Sequence, residues 1–187
     1  MNTLIAEVKI LEALDFAAGK HRFQRRKDEH ATPYINHPIS VAYTLASAGE
    51  SDLSMLLAAL LHDTIEDTKT SLQELIDKFG QEVADLVLEL TDDKNLESDE
   101  RKYRQVLLAK SRSEKARKIK LADKICNVED ILHHPPHHWK EERKVAYIEW
   151  AKEVVDQLRG TQPVLENKFD ELYRQAREMF RNYVFKA

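Results

Sequence analysis

Met55-Leu56-Leu57-Ala58-Ala59-Leu60-Leu61-His62-Asp63-Thr64-Ile65-Glu66-Asp67 decides how this chain folds. Its first seven residues are all apolar and show no strand-like alternation. They predict a helix of about two turns driven into a core. One histidine and three carboxylates then fall within six residues. Burying His62, Asp63, Glu66 and Asp67 at such a helix end is costly unless something pairs with them. A divalent cation is the simplest partner, so this helix end reads as a candidate reaction centre. If the helix runs on, His62 and Asp63 point about 100° apart. Glu66 and Asp67 then stack one turn beyond them on the same faces.

The same period extends in both directions. Leu4, Val8, Leu11 and Ala18 mark a first amphipathic helix, and His37-Pro38 opens a second, with proline in its first turn. Asp52 is placed to cap the apolar helix, and Ser71-Leu72-Gln73-Glu74 reads as a capping box. Val83, Leu86, Val87 and Leu90 form the next stripe, ending near Thr91-Asp92-Asp93. Further helices are marked by Tyr103, Val106 and Leu107, and by Ile119, Leu121, Ile125, Val128 and Ile131. Pro135 and Pro136 must turn the chain. Val145, Ile148, Val154 and Leu158 then mark a long helix, and a last one runs from about Val164 to Tyr183. Three of the four glycines, Gly49, Gly80 and Gly160, follow helical runs, where a left-handed cap favours glycine. No glycine-rich phosphate loop exists, which argues against Walker-type and Rossmann sites. The expected fold class is all-α, one compact helical bundle of about eight to ten helices over residues 1–187.

Bulk properties exclude several classes. A length of 187 residues suffices for one substantial core. A net charge of −4 speaks against a nucleic-acid partner. No apolar run is long enough for a bilayer, and Met1 to Glu7 lack the features of a signal peptide. The single cysteine, Cys126, allows no internal disulfide and suits a reducing cytoplasm. Oligomeric state leaves no signature in the sequence.

A metal at His62-Asp63 needs ligands from elsewhere. His37 and Asp123 qualify, each a polar residue in an apolar setting. Two imidazoles and two carboxylates suit manganese, iron or zinc with room for water, rather than a thiolate-rich structural zinc. Glu66 and Asp67 beside the ion could orient or deprotonate that water. Arg25-Arg26-Lys27 precede His37 closely, and guanidinium groups grip phosphate oxygens. The bland reading of each part is a solvated helix end and a solvated basic run. His133-His134-Pro135-Pro136-His137-His138 reads as an exposed turn rather than a second metal site, because no acidic residue interleaves. Cys126 reads as a small core residue. His21 and His30 read as structural or surface residues.

His37, His62-Asp63 and Asp123, in that order, resemble the ligand signature of the HD phosphohydrolase superfamily. The wording is narrower still. Arg25-Arg26-Lys27, Thr32-Pro33-Tyr34-Ile35-Asn36-His37-Pro38, Ala59 to Thr68, Thr91-Asp92-Asp93-Lys94 and Lys120 to Asn127 resemble the hydrolase domain of the RelA/SpoT homologues. The free-standing small alarmone hydrolases of the metazoan SpoT homologue type are the most similar, over about Leu11 to Gly160. The resemblance implies an HD-type all-helical fold with Mn²⁺. It implies hydrolysis of guanosine 3′,5′-bis(diphosphate), (p)ppGpp, at the 3′ position, giving GDP or GTP and pyrophosphate. By the same resemblance His37, His62, Asp63 and Asp123 would hold the metal, and Glu66 and Asp67 would handle the attacking water. Arg26, Lys27, Asn127 and Tyr147 would contact the nucleotide, with Arg26 stacking on guanine.

Two departures stand out. Ser98 occupies a position where the animal relative has a lysine near phosphate, with Lys102 and Arg104 as the nearby cations that could stand in. The four-histidine turn is no family feature. Longer relatives carry synthetase and regulatory domains, and neither is expected here. The alternatives are a related HD-type hydrolase of another nucleotide (an NADPH 2′-phosphatase or a dNTP or nucleotide phosphatase) and a helical module that senses a nucleotide without cleaving it.

Overall fold

The computed structural model describes residues 3–185. Ten helical segments follow one another there: α1 (Thr3–Lys20), α2 (Asn36–Ser47), α3 (Leu53–Leu61), α4 (Thr64–Asp67), α5 (Leu72–Phe79), α6 (Gln81–Leu90), α7 (Ser98–Ala109), α8 (Glu114–His133), α9 (Glu141–Gln157) and α10 (Pro163–Met179). Among the described residues there is no strand, and an isolated antiparallel bridge joins Arg25 to Pro33. The all-α expectation is borne out. No helix among these residues is long and apolar enough to cross a membrane.

The caps expected from sequence form. Asp52 Oδ1 accepts from Met55 N at 2.9 Å and starts α3. Ser71 Oγ accepts from Glu74 N at 3.1 Å and starts α5. The Glu74 carboxylate instead meets Lys20 Nζ at 2.7 Å, so the second half of the capping box ties α5 to α1. Gly80 ends α5 and begins α6 in a single residue with φ 87°, a backbone open chiefly to glycine.

The core sits around α3 and α8. In α3, Met55, Leu57, Ala58, Ala59, Leu60 and Leu61 are all buried. Each large side chain so buried contributes roughly 1.5–3 kcal/mol. This helix packs against α1, α2 and α6, while α8 packs against α2, α6, α9 and α10. Every residue of α8 from Ile119 to Cys126 is buried, charged ones included. A helix covered on all sides carries its polar residues into the interior.

Three details differ from the sequence expectation. In α1 the buried face is Ala13 and Ala17, while Val8 and Leu11 are exposed. The small alanines allow α3 close, which displaces the larger residues to the flank; the side chain of Leu4 lies outside the described residues. The last helix ends at Met179 rather than near Tyr183. The apolar helix also does not run on through the acidic cluster. It stops at Leu61, and His62 and Asp63 form a joint before the single turn of α4. Side chains take the carbonyls at this joint: His62 Nδ1 lies 2.8 Å from Ala59 O, and Thr64 Oγ1 donates to Leu61 O at 2.7 Å. Such side-chain bonds compete with the helical ladder and redirect the chain.

Candidate active site

Three elements deliver the converging side chains. His37 is the second residue of α2, His62 caps α3, and Asp123 lies midway along α8. All three are buried, and one ligand atom from each lies within 4.8 Å of the others. His37 Nε2 is 3.2 Å from Asp123 Oδ1, and His62 Nε2 is 3.9 Å from the same oxygen. Asp63 stands beside them, its Oδ2 3.0 Å from His62 Nε2 and 3.9 Å from His37 Nε2. The Tyr34 hydroxyl donates to that oxygen at 2.6 Å.

The cluster has the properties of a cation site. His62 Nδ1 faces the Ala59 carbonyl and so carries the proton, which leaves the Nε2 lone pair turned to the carboxylates. That Nε2 is buried and makes no well-formed hydrogen bond, although Asp63 Oδ2 lies 3.0 Å away. A lone pair facing two carboxylates is unfavourable without a positive centre between them. Burial opposes charge on His62, yet Asp63 and Asp123 outweigh it and push the ring up to about 9. Without a metal, a proton fills the role. Burial also disfavours charge on His37 and keeps its pKa below the ordinary value. Asp123 is held well below the usual carboxylate range, against its burial, by Lys124, His37 and Lys120. The donor set, two imidazoles with carboxylates, fits a borderline divalent ion.

Glu66 and Asp67 follow this cluster in different surroundings. Burial, then the Asp92, Asp63 and Asp67 carboxylates, raise Glu66 above its ordinary value, although Asp92 N donates to its Oε2 at 3.0 Å. Asp67 is committed elsewhere, to Lys94 on one oxygen and to Gln24 Nε2 at 2.8 Å on the other.

A cleft of about 730 Å³ opens against His37. Arg26, Lys27, Tyr34, Asp67, Asn127 and Tyr147 line it, so all four residues expected to meet a nucleotide share one cavity. Asn127 bridges the two regions: its Nδ2 donates to Asp123 Oδ1 at 2.6 Å, and its Oδ1 accepts from Arg26 at 3.1 Å. Arg26 also pairs with Asp130 and lies 5.7 Å over the Tyr34 ring. Burial pushes the Tyr147 hydroxyl up, so this wall stays neutral.

Sequence reasoning missed several lining residues. Tyr34, Gln24 and Asp130 were overlooked; Tyr34 lies inside a quoted motif, which was the available signal. The four-histidine turn is exposed at each histidine, as expected, but it is not idle. His134 and Pro136 line the cleft, and His137 N donates to Lys27 O at 2.7 Å. Arg104 turns to Glu100, and Lys102 lies over Trp150, so neither replaces a cleft cation; Lys94 is the cation that the loop brings to Asp67.

An all-helical domain with this buried His-Asp constellation defines a class. Residues 13–152 match the HD domain, and the chain belongs to that family. Among named relatives, it is 50% identical over 165 residues to "Guanosine-3′,5′-bis(diphosphate) 3′-pyrophosphohydrolase MESH1" of Xenopus tropicalis, covering 88% of this chain and 92% of the relative. It is 51% identical over 168 residues to the Homo sapiens protein of the same name, covering 89% and 94%. A solved structure described as "A metazoan ortholog of SpoT hydrolyzes ppGpp and plays a role in starvation responses" matches with TM-score 0.87 and 49% identity, covering 89% of this chain and 94% of that one. The resemblance drawn from the motifs is borne out.

Proposed function

We propose that this protein is a metal-dependent guanosine-3′,5′-bis(diphosphate) 3′-pyrophosphohydrolase that converts (p)ppGpp to GDP or GTP and pyrophosphate. One observation carries the reading: a buried His-Asp cluster with an unpartnered imidazole nitrogen opens onto a cleft lined by Arg26 and Lys27. It does so in a chain half identical to relatives named for this reaction.

His37, His62, Asp63 and Asp123 would hold the ion, which we take to be Mn²⁺. A divalent ion bound there acidifies water and neutralises phosphate charge. Glu66, raised by burial and by its carboxylate neighbours, accepts the proton of the attacking water. The water oxygen bonds to phosphorus as the bond to the ribose 3′ oxygen breaks; that oxygen leaves with GDP or GTP and takes up a proton from solvent, which balances the one Glu66 accepts. Asp67, fixed by Gln24 and Lys94, orients the water rather than taking its proton. Arg26 and Lys27 hold the anionic substrate, and Arg26 offers its planar face to guanine. Asn127 couples that grip to the metal side through Asp123. Tyr147 closes the pocket as a neutral wall. A cytoplasmic setting belongs to the same proposal, supported by the free thiol of Cys126.

The test is turnover of ppGpp, NADPH and dGTP side by side by purified protein, with and without Mn²⁺, each followed by its own product: pyrophosphate and GDP from ppGpp, inorganic phosphate and NADH from NADPH, and the dephosphorylated nucleoside or nucleotide from dGTP. Mn²⁺-dependent release from ppGpp, far faster than turnover of the other two, is expected. Preference for NADPH or dGTP, or ppGpp binding without turnover, would overturn the assignment.

A further inference from the structure

Lys124 is only 3% exposed, an unusual place for an ammonium group. It follows Asp123 on α8, yet its Nζ comes back to 3.2 Å from Asp123 Oδ2. On its other side lies the Trp150 ring, with Nζ 4.2 Å from the centroid. Trp150 is itself anchored, because its Nε1 donates to Lys102 O at 3.0 Å. The two oxygens of Asp123 are therefore divided. Oδ2 belongs to Lys124, while Oδ1 accepts from Asn127 at 2.6 Å and faces His37 and His62.

From this geometry we infer that Lys124, clamped between Asp123 and the Trp150 indole, is a positioning residue that presents Asp123 to the metal through Oδ1 alone. The inference rests on the metal-centre reading above. A carboxylate held at one oxygen cannot rotate to chelate through both, so the other donors keep their places around the ion. The cation–π contact holds the ammonium in a dry setting where water cannot. The link from Trp150 to α7 then ties the metal centre to the helix that follows the Lys94 loop.

A competing view makes Lys124 merely structural, an ion pair within α8 that leans on the Trp150 ring of α9. Charge alone also has a definite sign: removing a cation this close to a bound dication tightens metal binding. Lost orientation does the opposite, and groups that orient metal ligands are typically worth 10–100-fold in affinity.

The experiment measures Mn²⁺ affinity by electron paramagnetic resonance of the free ion, for wild type, Lys124→Met, Lys124→Arg and Trp150→Phe, with folding checked by circular dichroism. Lys124→Met should bind Mn²⁺ about 10–100-fold more weakly. Lys124→Arg should recover part of that loss, and Trp150→Phe should fall between. At saturating Mn²⁺ the kcat with ppGpp should return to within about threefold of wild type, since the residue acts through ligand placement. Unchanged or tighter Mn²⁺ binding in Lys124→Met overturns the inference while leaving the metal reading intact. A wild type that binds no Mn²⁺ sinks the metal reading itself. If Lys124→Met does not fold, unaltered affinity in both Lys124→Arg and Trp150→Phe overturns the inference equally.

Discussion

Replacing Glu66 by Gln separates the proton-accepting role from metal binding. Gln keeps an oxygen for the Asp92 amide, which now donates to Glu66 Oε2 at 3.0 Å, so the Asp92 loop should stay in place. Stability should therefore change by no more than about 0.5 kcal/mol. Glu66 is also outside the His37–His62–Asp123 group, so the cation should remain. Removing a general base costs roughly 10²–10⁴-fold in rate, or about 2.7–5.5 kcal/mol. Asp67 is poorly placed to compensate, because Lys94 and Gln24 engage its two oxygens. That favours the upper half of the range, a loss of about 10³-fold or more. Steady-state pyrophosphate release at saturating Mn²⁺, with Mn²⁺ binding measured in parallel, reads both quantities. In wild type, kcat/KM should fall as pH drops through the raised Glu66 value, because the base must be ionised. A variant within tenfold of wild type, or one that loses Mn²⁺ together with activity, would refute the role.

Arg26→Ala should raise KM for ppGpp more than it lowers kcat, since grip on the nucleotide serves ground and transition states alike; a pure kcat loss contradicts this. Metal-free protein should lose stability as pH rises from about 6.5 through about 9, because His62 is raised in the folded state and its proton is then released. The stabilisation is fully present below the unfolded value and amounts to at most about 3 kcal/mol; urea titrations across that range should show the decline, and saturating Mn²⁺ should abolish it. Leu61→Ala, at a fully buried position beside the site, should cost about 2–5 kcal/mol and lower Tm by roughly 4–20 °C in a thermal melt.

Much of the fold was legible because helical periodicity, caps and glycine stops are local. Asp52 and Ser71 start their helices for reasons contained within four residues of sequence. His37, His62 and Asp123 could be grouped because each breaks an otherwise apolar setting. What escaped was set by long-range packing. Nothing local distinguishes Ala13 and Ala17 from Val8 and Leu11 as the face that meets α3. The joint at His62-Asp63 depends on side chains competing for the carbonyls of Ala59 and Leu61, which a periodic pattern cannot register. The four-histidine turn reads as exposed in sequence, and only the fold brings its backbone to Lys27 and its His134 to the cleft. Tyr34 and Asp130 meet their partners 29 and 104 residues away in sequence, beyond any window in which spacing carries information.

The central claim is that His37, His62, Asp63 and Asp123 hold one divalent ion at the mouth of the Arg26–Lys27 cleft. Anomalous diffraction at the manganese edge, from crystals of the protein grown with Mn²⁺, tests it most directly. The account predicts one strong peak in reach of His37 Nε2, His62 Nε2 and Asp123 Oδ1. No peak there, or a peak only at the His133–His138 turn, would contradict it.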